Sequence, residues 1–464
     1  MKRFILLSLL TILSSTFAKS QYIAKVWEYK PAPGQFINSS PWGVPSSVNT
    51  LIGGINGSLS LGAFGGYVVF AFDNPVENDP DNPFGVDFTI FGNPQNDWSE
   101  PAVVYVMKDE NNNGQPDDTW YELAGSDYFF SSSVKDFSVV YINPQQNVAA
   151  DVPWLDSEGN EGFIYANEFH LQPYYPLTDS FPEISDEQYE VSGSYIAGNI
   201  NKNNAANIKS YKRGFGYADN QLRGSAPYTT PDNPYTDEKE NSGGDAFDIS
   251  WAVDEYGNYV DLDAIHFVKV QNAMLGDAGW LGEISTEITG AVDVEPDNSI
   301  TGVDEMLIIK DLPDTINTSS YQLEVFAFSQ GRLMENEDVV WTVSPDIATI
   351  GEHNMLNITG DGTVTLTATL QSNSDVSRTV TAYLIKSCPG INDLNQSLSL
   401  YPNPANNYIV LKNALNKDIS FYDISGRCMM TVKNYDNTPI NISDFKSGFY
   451  IVKTDNVVLK FVKD

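Results

Sequence analysis

The sequence predicts an all-β protein: a jelly-roll-like β-sandwich with a long loop-rich insertion, followed by two smaller β-sandwiches. Three observations carry that reading. Gly 34 and Pro 25 together exceed a tenth of the 464 residues, a density of chain-breaking residues that suits many short strands and disfavours a helical bundle. Apolar residues recur with period two, most plainly where Val364, Leu366, Ala368 and Leu370 alternate with Thr363, Thr365, Thr367 and Thr369. Between residues 19 and 298 no clear amphipathic helical pattern appears.

The chain opens on Lys2 and Arg3, an apolar run over residues 4–13, and the small-residue site Thr16-Phe17-Ala18. That order reads as a secretory signal peptide over residues 1–18, cleaved near Ala18. No Cys follows the apolar run, so a lipoprotein anchor is not expected, and no other stretch reaches the roughly 18 apolar residues of a membrane-spanning helix.

Residues 19–298 form the first module. Strand patterns fall at 67–72, 87–91, 102–107, 120–123, 137–142, 247–253, 265–270 and 283–288, separated by turn residues. Between the fifth and sixth lies an insertion, about 145–244, with little periodicity. Its aromatics, among them Tyr174, Tyr175, Tyr189, Tyr211, Phe215, Tyr217 and Tyr235, argue that it is ordered.

Residues 299–390 add the Thr-alternating strand above, a strand at 339–344 around Trp341, and another at 380–385. These features resemble a bacterial immunoglobulin-like domain, which implies a spacer. After a linker at 391–397, residues 398–464 carry Tyr401-Pro402-Asn403-Pro404, Asp423-Ile424-Ser425-Gly426-Arg427 and Ser447-Gly448-Phe449-Tyr450-Ile451-Val452 in order, within about seven short strands. They resemble the type A C-terminal sorting domain of the type IX secretion system of Bacteroidetes. The resemblance implies that this segment engages the secretion machinery and that the mature chain is secreted or displayed on the outer cell surface.

Charge is unevenly distributed. The formal net charge is −35, and residues 19–298 hold 12 Lys+Arg against 42 Asp+Glu, whereas residues 398–464 hold 8 against 6. So acidic a surface repels phosphate, which argues against nucleic acid as a partner.

Chemistry is restricted by what is scarce. Three histidines (His170, His266, His353) and two cysteines (Cys388, Cys428) offer no zinc-ligand spacing, and there is no nucleophile elbow, P-loop or dinucleotide fingerprint. Cys388 and Cys428 can pair or remain free thiols. Four of the module's twelve basic residues, Lys209, Lys212, Arg213 and Arg223, interleave with Tyr211, Phe215 and Tyr217. Aromatic faces beside fixed donors suit a flat or sugar-like ligand, so Tyr211, Lys212, Arg213, Phe215, Tyr217, Arg223 and Trp280 are the candidate ligand-binding residues. The other reading is that the aromatics fasten the insertion to the sandwich.

The loop Asp109, Asn111, Asn113, Gly114, Gln115, Asp117, Asp118 follows the first part of an EF-hand calcium loop, until Trp120 stands where the closing Glu belongs. Ca2+ held there would be structural; the alternative is a plain Asn/Asp/Gly turn. No carboxylate pair singles out a general acid and base, although Asp245 and Asp248 would be tested first in a polysaccharide hydrolase.

Pro31 to Asn38, Leu61 to Phe70, Ser99-Glu100-Pro101, Asp117 to Ser126, Gly214 to Asn220, Phe267 to Val270 and Gly279 to Glu287 resemble, in order, a family of cell-surface proteins of Bacteroidetes. Some relatives accompany outer-membrane cobalamin uptake genes, which implies capture of a corrinoid. The expectation is a surface-displayed protein binding a small ligand, a corrinoid foremost, rather than an enzyme. The alternatives are a glycan-binding protein, a secreted polysaccharide hydrolase, and a structural or adhesive surface protein.

Overall fold

The computed structural model describes residues 21–463 apart from 229–230, 296–299, 301, 336–337, 387–398, 413, 415–416, 424–425, 437 and 455–456. The expected signal peptide, the linker at 391–397 and Cys388 lie outside the described residues. The regular structure of the described chain is almost wholly strand, with only short 3-10 turns beside it and loops between, as the density of Gly, Pro and period-two patterns predicts. No helix among the described residues is long and apolar enough to cross a membrane.

Two compact units form. The first comprises the chain up to Asp311 together with Glu324–Val340 and Ala368–Arg378. Its main sheet has six strands in the order Lys25–Lys30, Tyr67–Ala71, Phe267–Asn272, Ala102–Met107, Trp120–Leu123 and Ala252–Val253. All its pairings are antiparallel, with Val268 opposite both Phe70 and Val106. A second sheet orders Asp245–Phe247, Phe88–Phe91 and Gly290–Asp293. Phe70, Val104, Val106 and Val268 from the first sheet and Phe88, Ile90, Phe247 and Val292 from the second share one buried core. Burial of such apolar area at about 25 cal/mol per Å² is what drives the two sheets together.

The insertion is not loop alone. Val152–Asp156, Glu161–Ile164 and Gln188–Tyr195 join Val134–Ile142 in a four-stranded antiparallel sheet. It has its own core of Phe64, Phe137, Tyr141, Tyr174, Tyr175 and Tyr189. The alternation of Tyr189 and Val191 with exposed Gln188 and Glu190 is a strand pattern, but it is short enough to be lost among the turn residues around it.

The strands Glu305–Ile309 and Val325–Ser329 pair antiparallel and send Met306, Ile308 and Phe328 into the same core as Trp251 and Phe215. The Trp251 indole also donates to the Gln330 carbonyl at 2.8 Å, and a Cβ at Gly331 (φ +70°) would meet the ring at 2.3 Å. Chain from the stretch read as the middle sandwich therefore completes the first unit's core, because Trp251 needs both an apolar cover and an acceptor.

The second unit comprises Leu312–Leu323, Trp341–Thr367 and Thr379–Asp464. It contains the antiparallel sheet Ser320–Gln322, Met355–Ile358, Ala348–Ile350. The Thr-alternating strand, Gly362–Leu370, buries Val364, Leu366, Ala368 and Leu370, as the period-two pattern predicts. At the C-terminus seven strands are present among the described residues, including the sheet Cys428–Val432, Ile419–Asp423, Gly448–Thr454, Val457–Lys463. They enclose Ile409, Leu411, Phe421, Tyr435, Val452 and Phe461. Cys428 is exposed.

Phe328 is fully buried against Phe215 at 5.2 Å between ring centroids. Phe328→Ala is expected to lower unfolding free energy by about 3–5 kcal/mol in urea titrations, although residue 328 lies beyond the first module's expected end.

Candidate functional site

Where the strand Phe88–Phe91 leaves the second sheet, Gly92 lets the chain pass directly over Asp219; a Cβ there would meet Asp219 Oδ1 at 2.1 Å. Asp219 itself sits at φ +57° and is fully buried. Its Oδ1 accepts from the Asn93 amide and its Oδ2 from the Glu287 amide, both at 2.8 Å, and its carbonyl accepts from the Glu100 amide at 3.0 Å. Three segments remote in sequence are thereby brought to one point.

Their side chains meet as well. Carboxylate oxygens of Glu100, Asp219 and Glu287 lie within 4.8 Å of one another, and all three residues are buried. Glu100 Oε1 accepts from the Ser285 amide at 3.0 Å, and Glu287 Oε1 from the Ser285 hydroxyl at 3.1 Å. Three carboxylates this close and this buried cannot all stay ionised without a compensating charge. Burial first, then repulsion among the three, holds Glu100 and Asp219 well above the usual carboxylate range; burial likewise raises Glu287. Glu283 lies alongside, its Oε1 accepting from the Gln35 amide at 2.8 Å, and burial pushes it up to about 7.

Glu100 and Glu287 face a cavity of about 410 Å³, also lined by Gln35, Phe36, Asn93 and Trp98. Lys209, paired with Asp97 at 2.6 Å, and Leu281 complete its wall. Other aromatic rings pack on Phe36, and a further pair, through Phe169, lies beside them in sequence. Phe36 packs on Trp42 at 5.5 Å and on His170 at 4.8 Å, and Phe169 meets Trp280 at 6.4 Å. Phe169 and Trp280 are 63 % and 52 % exposed. A second cavity of about 400 Å³ shares the Gln95-Asn96-Asp97 wall and is lined by Tyr211, Lys212, Asn220 and Lys239. The arrangement can offer carboxyl and amide groups for hydrogen bonding beside the flat faces of Phe36 and Trp98.

The residues singled out from sequence divide three ways. Tyr211 and Lys212 line the second cavity; Trp280 lines neither, is adjacent in sequence to the lining Leu281, and is anchored through its indole to the Ala205 carbonyl at 2.7 Å. Arg223 reaches away to Asn56 at 2.7 Å. Arg213, Phe215 and Tyr217 are buried and form no ligand wall. Arg213 is clamped by Asp127 and Asp311, each at 2.6 Å, Phe215 packs on Trp251 and Phe328, and the Tyr217 hydroxyl accepts from the Asp127 amide at 3.1 Å. The burial of these three fits the fastening reading, because a ring enclosed by core neighbours has no face left to stack.

Asp245 and Asp248 have structural partners too. Asp245 accepts from the Asn220 and Gln221 amides at 3.0 and 2.7 Å, and Asp248 caps a short turn through the Ser250 amide at 2.7 Å. Glu100, Asp219 and Glu287 were not singled out from sequence. Each lies within a segment of family likeness, but more than sixty residues separate neighbours, so no local spacing marks them.

The loop from Asp109 to Asp118 turns through Asn112 and Gly114 at φ +57° and +69°. Asp109 accepts from the Asn113 amide at 3.1 Å and the Gly114 amide at 2.8 Å, while the Asn111 and Asn113 carboxamides donate to Asp117. Asn111 also donates to Asp118 at 3.1 Å, and Asn113 Oδ1 accepts from the Gln115 amide at 2.7 Å.

Comparison with known proteins defines a class first: a β-protein carrying a secretion tail. Residues 399–464 match the family described as the secretion system C-terminal sorting domain. The chain is accordingly exported by the type IX system to the cell surface or beyond it. No curated protein matches. Among solved structures, the Escherichia coli adhesin FdeC is similar at 10 % identity over 44 % of this chain and 78 % of its own, with a TM-score of 0.15. Latent PorU from Porphyromonas gingivalis aligns at 13 % identity over 72 % of this chain and 30 % of its own, TM-score 0.14. The S-layer protein rSbsC aligns at 10 % over 87 % and 53 %, TM-score 0.18. This chain spans about half of the S-layer chain and under a third of PorU. Superpositions this poor establish no shared architecture.

Two outcomes follow. Deleting residues 399–464 should abolish surface exposure and leave the chain inside the outer membrane, read by immunoblotting of protease-shaved cells. For Glu283, between the ordinary carboxyl range near 4.5 and about 7 the folded chain keeps a proton that the unfolded chain has released. Stability therefore falls as pH rises through that window, and the buried Glu100, Asp219 and Glu287 act in the same direction. Melting temperatures in chelator should drop from pH 5 to pH 8, and Glu287→Gln should flatten the slope.

Proposed function

We propose that this exported protein is a surface-displayed binding protein that captures a glycan at the carboxylate-floored cavity. The observation that carries the reading is the cavity of about 410 Å³ lined by Glu100, Glu287, Asn93 and Gln35 together with the rings of Phe36 and Trp98; the exposed Trp280 is adjacent in sequence to the lining Leu281. Sugar hydroxyls both donate and accept, which suits carboxyl groups beside Asn93 and Gln35; the C–H faces of a pyranose stack on aromatic rings such as Phe36 and Trp98. The adjoining cavity at Tyr211 and Lys212 would accept a second residue of the chain.

Capture of a corrinoid rests on the family resemblance alone; the aromatic and basic wall expected for it is dispersed by the burial of Arg213, Phe215 and Tyr217. In the same proposal, residues 299–390 include an immunoglobulin-like spacer. Ca2+ in the loop Asp109–Asp118 is structural, supported by Asp109 gathering the amides of Asn113 and Gly114 as the first residue of such a loop does.

Calorimetric titration of the full mature chain against a panel of oligosaccharides, with cyanocobalamin as a further ligand, tests the reading. At least one oligosaccharide should bind, and Trp280→Ala should weaken it roughly five- to tenfold, the worth of about one aromatic contact. Binding of cyanocobalamin alone, or glycan affinity indifferent to Trp280→Ala and Glu287→Gln, would overturn the assignment.

A further inference from the structure

We propose that a separate acidic cavity, walled by Glu77, Asp79, Asn82, Asp87, Asp293 and Glu295, is a binding site for a hard divalent cation of the calcium class. The cavity measures about 280 Å³ and lies between the loop preceding the strand Phe88–Phe91 and the end of the strand Gly290–Asp293. No Lys, Arg or His is among the described residues that line it. Its lining is oxygen-rich and lacks His and Cys, which excludes the softer transition metals and favours a cation that takes six to eight oxygens.

The independent sign of a missing ligand is Asn82. This side chain is 7 % exposed, lines the cavity, and has a buried Oδ1 with no hydrogen-bond partner. Its orientation is determined: Nδ2 donates to Asp87 Oδ1 at 2.8 Å, so exchanging the two amide atoms would set oxygen against oxygen. A buried carbonyl oxygen without a partner costs roughly 1–3 kcal/mol, and a cation in the cavity would give it one.

Asp87 makes the same demand. It is 1 % exposed, yet three N–H groups point at its carboxylate: the Asn82 side chain, the Asp79 amide at 3.2 Å and the Ile249 amide at 2.8 Å. That is the donor set of an ionised carboxylate. A buried carboxylate held by three donors has no basic side chain among the described residues of the cavity to balance it, and a dication at this point would supply the counter-charge. Glu77 and Glu295 are exposed and can turn inward to complete the shell. The ion would tie the loop 74–87 to the end of the strand Gly290–Asp293.

The experiment uses the mature chain carrying Asp109→Ala, which removes the separate loop at Asp109–Asp118. Calcium is titrated calorimetrically, and thermal unfolding is followed with calcium and with chelator. This background should bind one calcium and melt several degrees higher in calcium than in chelator. Adding Asn82→Ala or Asp293→Asn should weaken binding at least tenfold, with melting in chelator unchanged or raised. Glu77→Gln, at an exposed position that leaves folding intact, should weaken it severalfold. Absence of calcium binding in the Asp109→Ala background at millimolar calcium, or retention of full affinity in all three added variants, would overturn the proposal.

Discussion

The candidate site depends on one buried carboxylate. Asp219 accepts from the backbone of Asn93 and of Glu287 and supplies its own carbonyl to Glu100, so the loop after Phe91, the entry to the strand Ala102–Met107 and the strand Glu287–Ile288 are fixed to one another through a single residue. The geometry tolerates little variation. Asp219 occupies a left-handed conformation that Asp adopts more readily than most residues, and Gly92 is bare of a side chain where one would strike the carboxylate.

That constraint has an electrostatic consequence. The first unit buries Asp87, Glu100, Asp219, Asp245, Asp248, Glu283 and Glu287, and the buried basic group in the same unit, Arg213, is committed to Asp127 and Asp311. Unpaired buried carboxylates are costly unless neutralised by protons, by backbone amides or by cations. All three solutions fit this protein in different places: amides around Asp245, carboxyl groups held above their usual range at Glu100 and Glu287, and an all-oxygen cavity at Asp87. The net charge of −35 is therefore an interior property as well as a surface one.

Much of the fold was legible because strand signals are local. Ala102–Met107 and Trp120–Leu123 fall where alternation and turn residues put them, and the C-terminal segment was recognisable from short motifs in order. The strands Val152–Asp156 and Glu161–Ile164 were not, because each is brief and one is interrupted by Pro153, so neighbours rather than pattern stabilise them. Phe215 and Tyr217 look alike in sequence to a ligand-stacking pair, and burial alone distinguishes core packing from display.

The sequence by itself determined the β class, the export tail and the acidity, since composition, period-two alternation and contiguous motifs require no knowledge of which segments meet. Only the tertiary structure decided where a ligand could sit. Glu100, Asp219 and Glu287 acquire their mutual proximity, and Asn82 its unanswered oxygen, from the folded surroundings; burial and mutual charge are properties of the folded neighbourhood that no single segment encodes.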